Sequence, residues 1–300
     1  MRRTLLGLAA AVAMLAAAGC GSTAGDRSPG PAAPTLSSRV RTGGTVPRAT
    51  PADFRRPTAV YRRHVRAALG SMLGDVAGLR AAIARGDRPA ARRAWLAADE
   101  AYASIGAAYG AFGRLDARIN GDGAGLHRVE RVLWSGAALA AAGAPAARLR
   151  ADVGALRAHV GRMRIDPLEY ALRAHEVLED TLHLELSGRL SPYSGAALVA
   201  LRGNLRGTRV VLNSLRAMLD RRNPGVVVQA DRALTDLQRA LADQQRRGGT
   251  LPRWDALSPL RRERVAGLTA AAAERLAFVP ELIDPRPPRA LQSAFGRQEQ

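Results

Sequence analysis

The stretch LVALRGNLRGTRVVLNSLRAML, Leu198 to Leu219, decides the fold. Steps of three and four along it pick out Leu198, Leu201, Leu205, Thr208, Leu212, Leu215 and Leu219. They form one apolar stripe of a helix, with Arg and Asn on the opposite face. The same spacing recurs on both sides. Tyr61, Val65, Ala68, Met72, Val76 and Leu79 make one stripe; Leu149, Val153, Leu156, Val160 and Met163 another; Val227, Ala230, Leu234, Leu237 and Leu241 a third. No segment alternates with the period of two that a strand requires. Proline directly after a capping side chain marks helix starts at Thr50-Pro51, Asp166-Pro167, Ser191-Pro192, Asn223-Pro224 and Ser258-Pro259. Asp87, with Pro89 close behind, marks one more. The expected fold is all-α, with about seven or eight helices in antiparallel bundles, as two packed four-helix bundles.

The chain ends read differently. Arg2 and Arg3 precede an uncharged run from Leu5 to Ala18. This is the layout of a secretory signal, and the run is shorter than the ~20 residues a spanning helix needs. Ala17-Ala18-Gly19-Cys20 is similar to a bacterial lipobox. Cys20 is the only cysteine, so no internal disulfide is available, and an exposed thiol would be a liability that acylation removes. Residues 1–19 are therefore expected to be a signal peptide and Cys20 the lipidated residue. Residues 20–52, rich in Gly, Ser, Thr, Pro and Ala, cannot offset their ordering entropy by burial and read as a flexible tether. A helical domain over 53–284 and a loose tail over 285–300 complete the expected organisation. The implied address is extracytoplasmic, on the membrane surface, in a periplasmic space or on the outer face of the cytoplasmic membrane. The formal charge is +19 and every basic residue is Arg. Those arginines are scattered over helix faces with no basic patch interleaved with aromatics, which together with export argues against nucleic acid as a partner.

Three apolar stripes are broken by ionisable groups. After Asp166, steps of three and four give Leu168, Leu172, His175, Glu179, Leu182 and Leu186, so an imidazole and a carboxylate interrupt a leucine seam. They fit either a structural ion pair or a shared cation. In GLHRVERVLW (125–134), His127 and Glu130 lie three residues apart, on one side of a helix beside the Leu126–Val129–Leu133 stripe. A neutral imidazole nitrogen and a carboxylate oxygen at that spacing can hold one cation, as in metal-binding bundles. In the third seam Asp99 lies between Trp95 and Tyr102, and Asp116 follows among Phe112, Leu115 and Ile119. Asp116 can equally serve as a cap before Asn120-Gly121. A buried carboxylate costs several kcal/mol unless it is paired or metal-bound. A shared internal cation site explains all three breaks together. Its oxygen and imidazole donors suit iron, zinc, manganese or copper(II). His64, His159 and His183 fall off these seams and are expected to be solvated.

The run WLAADEAYASIGAAYGAFGRLDARING (95–121), GLHRVERVLW, and AHEVLEDTLHLELSGRLSPYSGAAL (174–198) are similar to the imelysin-like domain of Efe-type iron-uptake lipoproteins, the EfeM/EfeO family. The resemblance covers about residues 54 to 284. Its most specific marks are His127 with Glu130 before Leu133-Trp134, and the Ser187–Ser194 run. It implies an extracytoplasmic helical domain of two bundles with a metal site between helices, which hands iron to a membrane permease beside a haem-peroxidase-like partner. Members of the family have been classed as metallopeptidases, but no enzymatic activity is expected of this chain. His127 and Glu130 match the family's HxxE metal motif, and Asp116 matches the acid of its LD segment. Glu176, Glu179 and Asp180 cover its later acidic ligand, and His175 is expected to line the same cavity. This chain departs from the pattern at Ala103, where the family has Glu, at Asp99, where it has His, and at Gly195, where His is common. Zinc or copper could replace iron in such a site.

Two other classes compete. A metallopeptidase of the zincin type needs His-Glu-x-x-His. The nearest string, His175-Glu176-Val177-Leu178-Glu179, has Glu in the second ligand's place. A metal-free scaffold lipoprotein with structural His–acid pairs is the other.

Overall fold

The structure is a computed structural model that describes residues 46–245 and 250–286. The expected signal peptide, Cys20 and most of the expected tether and tail lie outside the described residues. Val46 onward forms one compact unit, and Ala49 is already buried in it. The Pro47 carbonyl accepts a bond from Arg222, so the packed unit takes in residues whose composition reads as tether.

The unit is all-α, with no strand among the described residues. In chain order its helices are α1 (Arg55–Ala84), α2 (Arg88–Ala103), α3 (Arg114–Asn120), α4 (Gly125–Trp134), α5 (Gly143–His159), α6 (Pro167–Asp180), α7 (Ala197–Asp220), α8 (Pro224–Ala242), α9 (Pro259–Leu276) and α10 (Phe278–Ile283). Asp87 caps α2 by accepting from Ala90 N, Asp166 caps α6 through Leu168 N and Glu169 N, and Asn223 caps α8 through Gly225 N. Each satisfies backbone donors that a helix start leaves free. Ser191-Pro192 starts no helix; α7 begins at Ala197, for a reason that lies in the site below.

The stripes of α5, α7 and α8 are buried at every predicted position. In α1 the stripe is buried except at half-exposed Ala68, beside which Leu69 turns inward. Residues Pro51–Ala84 are long and apolar enough to cross a bilayer by length and composition. Yet Tyr61, Val65, Met72, Val76 and Leu79 are wholly enclosed, and α1 packs on α2, α5 and α7 as a core helix does. Helices α1, α2, α4 and α5 pack among themselves, α6 to α9 likewise, and α7 also lies against α1 and α2. The α2–α7 contact is close. A Cβ on Gly203 would stand 2.4 Å from the Glu100 carbonyl oxygen, and one on Gly207 2.3 Å from that of Ser104. Glycine at both positions lets α7 and the segment after α6 approach the end of α2 that bears Asp99.

Helix α6 faces inward differently from the leucine seam. Its buried stripe is Tyr170, Ala171, Ala174, Val177, Leu178 and Thr181, while Leu168, Leu172 and Leu182 are half-buried. His64 is also not solvated: it is half-buried, its Nε2 lies 2.8 Å from the Ser104 carbonyl oxygen, and burial pushes its pKa down.

Candidate metal centre

Helix α4 is held in place along its length. At its start Gly125 has φ 43°, and a Cβ there would lie 2.0 Å from the Ile119 carbonyl oxygen. Only glycine permits this corner after α3. Trp95 Nε1 donates to the Leu126 carbonyl at 2.9 Å. Arg88 and Arg92 of α2 donate to carbonyls at its far end, Val132 and Leu133. With α4 fixed this way, Leu126, Val129 and Leu133 enter the core and carry Glu130 in with them; all four are fully buried.

Glu130 uses its two oxygens differently. Oε1 accepts from Ser194 Oγ at 2.7 Å, Ser194 N at 2.8 Å and Tyr193 N at 3.2 Å. Two successive amides and a hydroxyl thus form a small anion nest around one oxygen. This is why Ser191-Pro192 opens a folded loop instead of a helix: its donors are committed to Glu130. Arg253 grips the same loop from outside, donating to the Tyr193 and Ser194 carbonyls at 2.8 Å each. The two most specific sequence marks, His127 with Glu130 and the Ser187–Ser194 run, therefore meet in one place.

Oε2 of Glu130 has no hydrogen-bond partner. It faces His127 Nδ1 at 3.6 Å, beyond hydrogen-bonding reach. Both ring nitrogens of His127, Asp99 Oδ2 and Glu185 Oε2 are likewise buried without partners. Burial pulls the His127 pKa down, but Glu130, Asp99 and Asp122 more than offset it, and the net shift is upward. Asp99 is held well above the carboxylate range by burial first, then by Glu185, with His127 opposing. Burial and then Glu130 push Glu185 up to about 7. Four side chains from three segments thus sense one another's charge.

Glu185 was not expected from the sequence. Residues Thr181–Glu185 form a π-helical turn that closes with Leu186 N on the Thr181 carbonyl at 2.9 Å. Thr181 Oγ1 donates back to the Val177 carbonyl and accepts from Asn204 Nδ2 of α7. The wider turn resets the helical phase and swings Glu185 toward Asp99. Such single π turns are frequent at functional sites. An acid between Leu184 and Leu186 was the only signal, and α-helical phase points it elsewhere. Asp99 and Glu185 line a cleft of about 180 Å³ together with Tyr102, Tyr109, Asp180 and Asn204, which gives the buried acids a route to solvent.

The other expected ligands are placed apart from His127 and Glu130. Asp116 Oδ1 accepts the Tyr102 hydroxyl at 2.6 Å, and Tyr109 stacks on Tyr102. On α6, Arg173 Nη1 reaches Asp180 at 3.0 Å and Glu176 at 3.5 Å. His175 Nε2 stands 4.0 Å from Glu179, whose side chain is 49 % exposed. His175, Glu176 and Glu179 do not line the cleft; Asp180 does. The physical reason is the inward turn of Ala171 and Ala174, which rotates Glu176 and Glu179 outward and leaves His175 largely buried on another face, its Nδ1 without a partner. Among the described residues, no group of three or more His, Cys, Asp or Glu is arranged to hold a metal ion. No family model matches the chain, and no curated protein matches it.

Proposed function

We propose that this chain is an extracytoplasmic, lipid-anchored metal-binding protein of an Efe-type iron-uptake system with an imelysin-like domain. It takes up iron and passes it to a membrane permease. One observation carries the reading: five buried donor atoms, on Asp99, His127, Glu130 and Glu185, have no protein partner and lie within electrostatic reach of one another. Orphaned buried acids are expensive in any fold, and a bound cation offsets that cost. The donors are carboxylate and imidazole without thiolate, a set that suits iron and also admits zinc or copper(II). In this reading Glu130 presents Oε2 because its nest occupies Oε1. Binding draws Asp99 and Glu185 in by small side-chain movements from their present spacing. Lipid on Cys20 would raise the local concentration of the carrier at its permease. The permease and the haem-peroxidase-like partner come from the resemblance alone.

A second reading is favoured by the absence, among the described residues, of any three side chains arranged for an ion. In it the chain is a metal-free scaffold, and Asp99 and Glu185 remain protonated. The peptidase reading ranks lower, because Glu176, in the place of the zincin base, is drawn toward Arg173.

Elemental analysis of the full chain purified from its native host tests the choice. About one iron per chain supports uptake. Protein without metal, and with no thermal shift on adding ferrous, ferric, zinc or cupric ions, leaves the scaffold reading standing.

A further inference from the structure

A second cavity, of about 460 Å³, opens between α7 and α8 and shares no lining residue with the acid-lined cleft. Its wall is apolar where Leu205, Leu241 and Leu251 meet, and its rim carries Arg202, Arg206 and Arg209. Leu205 and Leu241 are buried, so the apolar wall is continuous with the core. The three arginines come from successive turns of α7, and two of them share one carboxylate. Glu100 accepts from Arg202 at 2.6 Å and from Arg206 at 2.9 Å. Arg209 reaches only a neutral hydroxyl, that of Thr235, at 3.2 Å. The Nε atoms of Arg202 and Arg209 are both buried and unpartnered. Guanidinium groups with unused, desolvated donors beside an apolar wall fit a ligand with an anionic head and an apolar body. The size lies within the range of pockets that enclose small molecules.

We infer that this cavity binds a small free amphiphile with a single anionic head, of the medium-chain carboxylate kind. Its head lies on Arg209 and Arg202, and its chain runs along Leu205 and Leu241. This site is independent of the metal reading. A carboxylate suits it because a planar two-oxygen head matches a guanidinium fork. A cavity of this volume encloses a short chain, whereas a bilayer lipid would leave most of its tails in water.

The test is calorimetric titration of the full chain with decanoate below its micelle concentration, alongside decanol and decyltrimethylammonium. Saturable binding of one decanoate per chain is expected, with both controls at least roughly tenfold weaker. Arg209→Gln should weaken decanoate by roughly tenfold while thermal unfolding stays unchanged. Arg202→Gln, on the other arginine that holds the head, provides the same readout if Arg209→Gln folds poorly. Decanol binding as tightly as decanoate overturns the inference, as does undiminished decanoate binding in both variants. Association with phosphatidylglycerol vesicles but not with monomeric decanoate overturns it too, and assigns the arginines to a membrane surface.

Discussion

Two arrays of acid and imidazole look alike in the sequence, yet the fold treats them in opposite ways. On α6, Glu179 and Asp180 are exposed and Glu176 is half-buried, Arg173 serves two of the acids, and only His175 is largely buried, with its Nδ1 unpartnered. Around α4, Asp99, His127, Glu130 and Glu185 are drawn inward and keep unpartnered atoms, and the charges of this group shift the protonation of Asp99, His127 and Glu185. Residue type and spacing are shared; solvent access separates them. An exposed pair is screened and contributes little. A buried carboxylate must be satisfied by neutral donors, a proton or a cation.

The contrast breaks most sharply under truncation. Glu130→Ala leaves Tyr193 N and Ser194 N without their acceptor in a buried loop and should lower stability by about 3 kcal/mol. Glu179→Ala should change it by less than about 0.5 kcal/mol. Denaturant midpoints of the two variants measure the difference, and equal effects would erase the distinction between the arrays.

Proton linkage gives the next largest effect. Asp99, Glu185 and His127 each bind a proton more tightly folded than unfolded. The stability they supply is full at acid pH and is lost as pH rises. For Glu185 the window runs from its ordinary value of 4.5 to about 7. The slope from one such group is at most about 1.4 kcal/mol per pH unit. Melting temperature should therefore fall between those limits, and Glu185→Gln should flatten the fall. Metal affinity should rise over the same window, since protons must leave the ligands.

A smaller effect sharpens the role of the loop. Arg253→Ala removes two bonds that hold the Tyr193–Ser194 carbonyls. It should cost about 1–2 kcal/mol and speed amide exchange at Ser194, while α6 exchanges as before. A comparable, slightly smaller loss is expected for Tyr102→Phe, about 1 kcal/mol, from loss of the bond to Asp116. A variant that also lost metal binding would return Asp116 to the site.

Most of the fold was legible where large apolar residues repeat without interruption. Leu198 through Leu219 and Leu149 through Met163 are buried as their spacing demands. Helix α6 was misread because its leucines are larger than its alanines. Close helix packing admits Ala171 and Ala174 and leaves Leu168 and Leu172 half-buried. The pairing of His127 with Glu130 was legible, since three-residue spacing fixes it locally. Glu185 was not, because a π turn shifts the register and depends on Asn204, a residue on another helix. The loop after Ser191 was hidden for a similar reason: its shape answers to Glu130, more than sixty residues earlier in the chain.

The most direct test is calorimetric titration of metal-free protein with ferrous and ferric ions. It compares the wild-type chain with the His127→Ala, Glu130→Gln double variant, and circular dichroism checks that both remain helical. The glutamine keeps an oxygen acceptor for the loop and puts a neutral NH2 in place of the metal-facing Oε2. The expected result is one ion per wild-type chain and none in the double variant at equal helicity. Stoichiometric binding retained by the double variant would contradict a centre built on α4.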